Sequence, residues 1–352
     1  MIVFTIILLM LVGVVFTMSP AAWLNSRIEI GQWVWVIVIL AYYVIATIVP
    51  IGTLIAKLFP IFSGSMILMC VMLFVGVIWG QLTGEVQMME FTLDVIHPDA
   101  LPAMPFIFMT IACGAISGFH ATKSPMMARC IQKESETKRV FYGAMIIEGL
   151  VALVWAAVAM ALLGDRFFVL GENVIREMGG AGNVVDYLSF TLLPSGVAYF
   201  LIIVAIIIVP VTSGDTTFRS IRLLLADAFK WDQGSVKNRV LICIPIFAVA
   251  YALTWIDFEI IWRYFAWSNQ TIAAIALWTG ASFLFVNHKI HWIATIPATF
   301  LSFVSVAYIL QAPVEGFGLN ATFSNVVGII VAGIIFALFM VLMPKKKNPR
   351  SL

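Results

Sequence analysis

The chain has 352 residues, of which 62% are hydrophobic and 11% are charged, and its mean hydropathy is +1.05. Because soluble domains carry about a quarter charged residues, this composition excludes a soluble enzyme, a disordered chain and a nucleic-acid-binding protein. The formal net charge of +2 is uninformative as a total. The apolar stretches run continuously, as between residues 34 and 51, without the alternation of outer-membrane strands. They predict an all-α polytopic membrane protein whose helices satisfy their own backbone groups in the bilayer.

A helix of about 20 apolar residues can cross a bilayer. By this measure the sequence predicts about ten transmembrane helices, at Met1–Met18, Trp33–Ile55, Ile61–Leu82, Ala103–Ala121, Val140–Gly164, Val197–Ser213, Arg239–Trp255, Ile260–Val286, His291–Gln311 and Ser324–Met343. Residues 1–343 are predicted to form a single transmembrane domain, followed by a basic tail at residues 344–352.

The distribution of basic residues predicts the orientation. If the basic tail is cytoplasmic, only four of the 20 lysines and arginines fall outside, namely Arg27, Arg166, Arg176 and Arg263. This asymmetry agrees with the positive-inside rule and predicts a multi-pass membrane protein with both termini in the cytoplasm. The connection at residues 83–102 carries four acidic and no basic residues, so it is expected to face outward. The first span has no basic region before it and is expected to be a membrane helix rather than a signal peptide.

Polar residues interrupt the fourth predicted span. Its apolar run reaches a segment rich in small residues and is then followed by Ser117 and His120, with Pro125 expected to help end a helix near that point. Gly114 and Gly118 form a GxxxG pair, which is typical of a close helix-packing face. Packing alone does not explain the polar residues, so we interpret this segment as a broken helix that lines a substrate site.

A second polar interruption follows Val209 and Pro210 in the sixth span and predicts another broken helix. Thr212, Asp215 and Thr216 share one helix face, with Ser213 beside them. These oxygen atoms suit a sodium ion, whereas Asp215 could instead carry a proton or pair with Arg219. An ordinary salt-bridged helix end at the cytoplasmic interface is the alternative interpretation.

Other polar residues lie within predicted spans. Glu148 lies in the fifth span, where an ionisable group is a functional candidate unless it is a protonated, hydrogen-bonded structural residue. Asn269 and Gln270 enter the eighth span, which favours hydrogen bonds between helices or to a substrate.

Signatures of an enzyme are lacking. There is no GxSxG motif, Walker loop or dinucleotide-binding loop, and His288 and His291 lie on a short predicted turn. The cysteines form no CxxC pair, so neither a zinc site nor a disulfide framework is indicated. We therefore expect no enzymatic activity, no metal and no cofactor. An intramembrane enzyme using Ser117 and His120 is the alternative, and it would be labelled by a serine-directed probe.

Four ordered segments resemble the carbon starvation protein A (CstA) family. They are Tyr42-Tyr43-Val44-Ile45-Ala46-Thr47 with Pro50, the segment from Thr110 to Cys130, Thr212-Ser213-Gly214-Asp215-Thr216 with Phe218-Arg219-Ser220, and Trp262-Arg263-Tyr264-Phe265 with Trp267, Asn269 and Gln270. The resemblance extends over essentially the whole chain.

This resemblance implies a secondary transporter of the bacterial inner membrane that takes up pyruvate or small peptides during nutrient limitation and is driven by a proton or cation gradient. It also implies a leucine-transporter-like (APC-type) bundle of two inverted repeats, in which the segment around Ser117 would be the sixth helix and that around Asp215 the eighth. The substrate-binding residues are then Ser117, Gly118, His120, Thr122, Ser124, Asn269 and Gln270, and the ion-coupling residues are Thr212, Ser213, Asp215, Thr216 and Glu148.

The family pattern includes a glycine- and histidine-rich region before the segment that corresponds to Met1. Relative to that pattern, the first two helices of the bundle are expected to be missing. The alternatives are a truncated product, a non-transporting half or accessory subunit, or a transporter whose missing helices come from a partner chain. The expected partners are the lipid bilayer and a small organic acid or peptide, and no nucleic acid.

Overall fold

The computed structural model describes residues 2–48, 52–86, 101–170, 174, 177–178 and 180–345. Regular structure in these residues is entirely helical. The helices are α1 (Ile2–Arg27), α2 (Gln32–Ile48), α3 (Gly52–Thr83), α4 (Ala103–Ala115), α5 (Gly118–Cys130), α6 (Ala144–Leu170), α7 (Ala181–Leu192), α8 (Ser195–Ile202), α9 (Val209–Phe229), α10 (Val236–Leu253), α11 (Phe258–Val286), α12 (Trp292–Gln311) and α13 (Ala321–Lys345). A 3₁₀ turn spans Glu134–Glu136, and π-helical segments span Lys138–Gly143 and Ile203–Ile208.

Eight helical stretches within the described residues are long and apolar enough to cross a membrane. They are Ile2–Arg27, Pro60–Thr83, Glu134–Gly164, Ser195–Phe229, Val236–Leu253, Phe258–Val286, Trp292–Gln311 and Ala321–Met343. The helix Gln32–Ile48 is apolar but shorter. The structure thus agrees with a polytopic membrane protein but does not reproduce ten long spans.

Several predicted spans differ from the observed helices. The first extends to Arg27 rather than Met18, and the sixth belongs to a helical stretch that continues to Phe229. The second is predicted to reach Ile55, but α2 ends at Ile48 and residues from Gly52 onward belong to α3, which continues through Pro60. The fourth span is two helices, in agreement with its predicted break. Most of the acidic connection, residues 87–100, and the basic tail from residue 346 lie outside the described residues, as does Arg176.

Contacts between residues divide the chain into two compact units. The first unit comprises Met1–Leu8, Leu101–Glu148 and Trp262–Leu352, and the second comprises Leu9–Ala100 and Gly149–Ile261. In the first unit, α12 packs along α13 and against α4. Its core includes Met109, Val304 and Tyr308, which are 4%, 0% and 5% exposed. Burial of such side chains against one another fixes α4 beside α12.

The second unit has a larger apolar core. Met69 and Leu73 of α3 pack with Leu188 of α7 and with residues of α8. Separately, α2, α9 and α10 contact one another. Here Tyr43, Phe218 and Phe247 form a chain of rings, with centroid distances of 5.3 Å and 4.8 Å between neighbours. These rings hold α9 against its two neighbouring helices.

The second predicted helix break is wrong. The chain remains helical from Ser195 to Phe229, and the turns before Pro210 are π-helical rather than unwound. Proline lacks a backbone N–H, and a π-turn is one way in which a helix continues past such an interruption. The polar residues after Pro210 therefore lie on a continuous helix.

Candidate functional site

The predicted break in the fourth span is present. α4 ends at Ala115 and α5 begins at Gly118, with Ser117 in an extended conformation (φ −91°, ψ 124°). The first turn of α5 carries the positive end of its dipole, and the His120 backbone N–H there donates to the Ser117 carbonyl at 3.2 Å. The expectation that Pro125 helps to end a helix near the break is wrong. It lies inside α5, which continues to Cys130.

Asn269 of α11 caps the break. Its Oδ1 accepts a hydrogen bond from the Phe119 backbone N–H at 2.7 Å and another from the Ser117 hydroxyl at 3.3 Å. The side chain is 1% exposed, so these bonds replace water at the start of α5. Of the two roles predicted for Asn269, hydrogen bonding between helices is the one observed.

Gly118 permits the close approach of α5 to α11. A Cβ atom at this position would overlap the carbonyl oxygen of Asn269 and would lie 2.9 Å from both the backbone nitrogen of Ala273 and the Cβ of Ile272. Backbone atoms cannot move aside as a flexible side chain can. The glycine is therefore a steric requirement of this helix crossing.

His120 and Glu148 form an ionisable pair close to the break. His120 Nε2 lies 2.6 Å from Glu148 Oε2, and the two side chains are 36% and 38% exposed. His120 Nδ1 is buried and has no hydrogen-bond partner among the described residues. A residue predicted to contact substrate is thus paired with one predicted to couple an ion.

The remaining predicted substrate residues make local bonds. The Thr122 and Ser124 hydroxyls donate to the carbonyls of Phe119 and His120 at 2.6 Å and 2.7 Å. Gln270 donates from Nε2 to the Phe108 carbonyl at 2.7 Å, while its Oε1 is buried and has no partner among the described residues. Each of these side chains retains an acceptor oxygen for a further hydrogen bond.

The predicted ion-coupling residues of α9 belong to the second unit. Asp215 is 2% exposed and accepts hydrogen bonds from Arg219 Nη2 at 3.1 Å and 3.2 Å. The Thr212 hydroxyl donates to the Ile208 carbonyl at 2.8 Å, and the Thr216 hydroxyl donates to the Ser213 carbonyl at 2.8 Å. Pairing with Arg219, one of the predicted alternatives, is therefore the state observed for Asp215.

Segments that resemble the CstA family are joined by hydrogen bonds within each unit. In the first unit, Ser117 and Phe119 bond to Asn269. In the second, Arg219 Nη2 donates to the Ala46 carbonyl at 2.8 Å. Each pair brings together two segments that are far apart in the sequence.

Tyr43 is a residue whose role sequence analysis missed. It is fully buried, and its hydroxyl donates to the Phe16 carbonyl at 3.0 Å. A Cβ at Gly214 would lie 2.9 Å from Tyr43 Cε1 and would overlap the phenol oxygen. The sequence features that could have indicated this contact are a tyrosine within an apolar span and a glycine within a polar helical segment.

We expect Tyr43→Phe to lower the free energy of unfolding by about 1 kcal/mol, because it removes one buried hydrogen bond and leaves the ring in place. Gly214→Ala should cost more, since the added methyl group overlaps the phenol. Thermal unfolding of the purified protein in detergent measures both. An equal effect of the two substitutions would contradict this explanation.

Together these features define a multi-pass helical membrane protein with a broken helix and paired polar groups inside apolar helices. The family profile described as "Carbon starvation protein CstA" matches residues 1–198. The chain therefore belongs to the CstA family, a family of transporters.

The relatives include named transporters. An uncharacterised protein of Haemophilus influenzae is 47% identical over 102 residues, covering 29% of this chain and 74% of the relative. The peptide transporter CstA of Bacillus subtilis is 31% identical over 252 residues, covering 59% of this chain and 42% of the relative. The pyruvate/proton symporter BtsT of Escherichia coli is 36% identical over 86 residues, covering 22% of this chain and 12% of the relative. No solved structure matches the chain.

The matched region spans less than half the length of the two named transporters. Among the described residues, no group of three or more His, Cys, Asp or Glu side chains is arranged to hold a metal ion.

Proposed function

We propose that the protein is a secondary active transporter of the inner membrane that takes up pyruvate or small peptides with a coupled proton. Named relatives comprise peptide transporters and a pyruvate/proton symporter, which supports this substrate range. Both substrate classes carry a carboxylate. The N-terminus of α5 offers such a group the positive end of the helix dipole.

The contact between His120 and Glu148 carries the proposal. A histidine side chain can take up and release a proton near neutral pH, and His120 Nε2 lies 2.6 Å from Glu148 Oε2. Ionisable residues inside apolar helices are costly unless they face a cavity or a partner, and they are typical of proton pathways. We infer that His120 accepts the coupled proton, that Glu148 balances its charge, and that the substrate carboxylate binds at the start of the same helix.

The proposed substrate site comprises the residues around the break and their neighbours on α11: Ser117, Gly118, His120, Thr122, Ser124, Asn269 and Gln270. Asn269 orients the start of α5, and Ser117 lies in the extended segment beside it. The unpaired Oε1 of Gln270 provides an acceptor for a substrate hydroxyl or ammonium group. These assignments use the positive end of the α5 dipole for the acid and side-chain oxygens for the rest of the substrate.

Uptake into proteoliposomes tests this function. We expect labelled pyruvate or a labelled dipeptide to accumulate when the outside is acidified, with or without sodium, and a protonophore to abolish accumulation. Accumulation that requires a sodium gradient and ignores the proton gradient would overturn proton coupling. If the protein transports neither pyruvate nor dipeptides, the proposed function is overturned.

A second candidate for coupling is the set Thr212, Ser213, Asp215 and Thr216, in which oxygen atoms would bind sodium. Arg219 already compensates the Asp215 carboxylate, which disfavours a cation there. We expect Asp215→Asn to reduce stability by about 3–5 kcal/mol, because it leaves a partly buried arginine without its charge partner. We expect the double variant Asp215→Asn/Arg219→Gln to regain much of this loss.

Thermal unfolding and the sodium dependence of uptake distinguish the two candidates. The charge-pair interpretation predicts a large loss of stability in the single variant and unchanged ion dependence in the double variant. If Asp215→Asn unfolds like the unmodified protein but changes the ion that drives uptake, the α9 residues couple the ion instead.

A partner chain that supplies further helices is a separate proposal. It predicts that a second membrane protein co-purifies with this chain from its native membrane and that uptake requires both. Uptake by the chain purified alone would remove the need for such a partner.

A further inference from the structure

Three arginines lie close together where α9 ends and α10 begins. Arg222 of α9 is 7% exposed, and its Nη1 donates to Gln233 Oε1 at 2.8 Å. Arg219 and Arg239 are both near enough to influence Arg222 electrostatically. Arg239 donates from Nε to the Gln233 carbonyl at 2.7 Å. Gln233, which is uncharged, thus accepts from Arg222 through its side chain and from Arg239 through its backbone carbonyl.

The cluster carries more positive than negative charge. Asp215 pairs with Arg219, and among the described residues neither Arg222 nor Arg239 has a carboxylate within ion-pairing distance. Asp227 and Asp232 follow in the sequence but are exposed, and the Asp232 carboxylate accepts from the Gly234 N–H at 3.2 Å. Burying an arginine without a counter-charge is unfavourable, so this arrangement favours a bound anion.

Two donor groups are available for such an anion. The Nε atoms of Arg219 and Arg222 are buried and lack hydrogen-bond partners among the described residues. Other donors of the cluster are occupied by backbone carbonyls, including those of Ala46 at 2.8 Å and Ile48 at 3.2 Å at the end of α2. Arg219 remains 22% exposed at its side chain, which leaves the cluster partly open to its surroundings.

We propose that Arg219, Arg222 and Arg239 form a binding site for a phosphate-bearing anion. Guanidinium groups bind phosphate oxygens through paired, charge-assisted hydrogen bonds, and several can share one phosphate. The charge distribution predicts that this end of α9 faces the cytoplasm, where basic pockets between helices bind headgroups of acidic phospholipids. The phosphate comes either from such a headgroup or from soluble phosphate. The site is independent of the transport reaction proposed above.

The thermal unfolding temperature of the full chain in neutral detergent tests the site. We expect phosphatidylglycerol to raise it by several degrees, phosphatidylcholine to leave it unchanged, and native mass spectrometry to show retained phosphatidylglycerol. Arg222→Gln removes the unbalanced charge, so it should unfold at the same or a higher temperature without lipid and should lose the phosphatidylglycerol shift. Lys237→Gln, which removes an exposed charge on α10, should retain the shift.

Millimolar inorganic phosphate distinguishes the two sources. A shift with inorganic phosphate as large as that with phosphatidylglycerol assigns the site to soluble phosphate, whereas a shift only with the lipid assigns it to a headgroup. If neither shifts the unmodified protein, the proposal is overturned. It is equally overturned if Arg222→Gln keeps the shift. Should Arg222→Gln fail to fold, Arg239→Gln replaces it, and a retained shift in that variant overturns the proposal.

Discussion

His120→Asn is expected to reduce proton-driven uptake more than tenfold. Asparagine preserves a polar side chain of similar length beside Glu148 but cannot take up a proton. In the proposed mechanism His120 accepts the coupled proton, and an increase of about 1.4 kcal/mol in the barrier already lowers a rate tenfold. The measurement is the initial rate of labelled pyruvate or dipeptide uptake into proteoliposomes with an imposed proton gradient.

Two further variants make this prediction specific. Glu148→Gln should also abolish stimulation by the proton gradient, because the histidine would then lose its counter-charge. His288→Asn is the matched control, since His288 is exposed in the turn after α11 and has φ 55°, a conformation that asparagine tolerates. Normal uptake by folded His120→Asn, or an equal loss in His288→Asn, would contradict the assignment.

Gly118→Ala is expected to destabilise the protein strongly at the crossing of α5 and α11. The new Cβ would overlap the carbonyl oxygen of Asn269 and crowd the backbone of α11. Overpacking of this kind costs about 1–3 kcal/mol and more where backbone must move. We expect a lower thermal unfolding temperature and weaker capping of α5 by Asn269.

Gly280→Ala provides the control for this substitution. Gly280 lies on α11, and a Cβ there would have open space around it. Alanine is the better helix former, so Gly280→Ala should leave the unfolding temperature unchanged or raise it slightly. Equal effects at the two positions would show that the crossing of α5 and α11 does not depend on Gly118.

The class of protein and part of the candidate site could be predicted from the sequence. Long apolar runs require a membrane, and polar residues after a small-residue segment indicated the break at Ser117, which the structure contains. The backbone conformation around Pro210 could not be predicted in this way. A proline followed by polar residues fits either an unwound segment or a π-turn, and the structure has the π-turn. Pro125 shows the same ambiguity, since α5 continues past it.

The partners of polar residues depended on tertiary structure. Sequence marked His120, Glu148, Asn269 and Asp215 as candidates, but left open whether each met a substrate, an ion or another side chain. The structure pairs His120 with Glu148 and Asp215 with Arg219. It also reveals Tyr43 as the neighbour of Gly214.

The sequence by itself determined that this chain is a helical membrane protein, because the transfer of apolar residues into lipid depends on local composition. The four segments that resemble the CstA family could also be identified from the sequence alone. Only the tertiary structure decided which charge meets which partner, since hydrogen bonds and ion pairs require atoms within about 3 Å and such distances depend on how neighbouring helices cross.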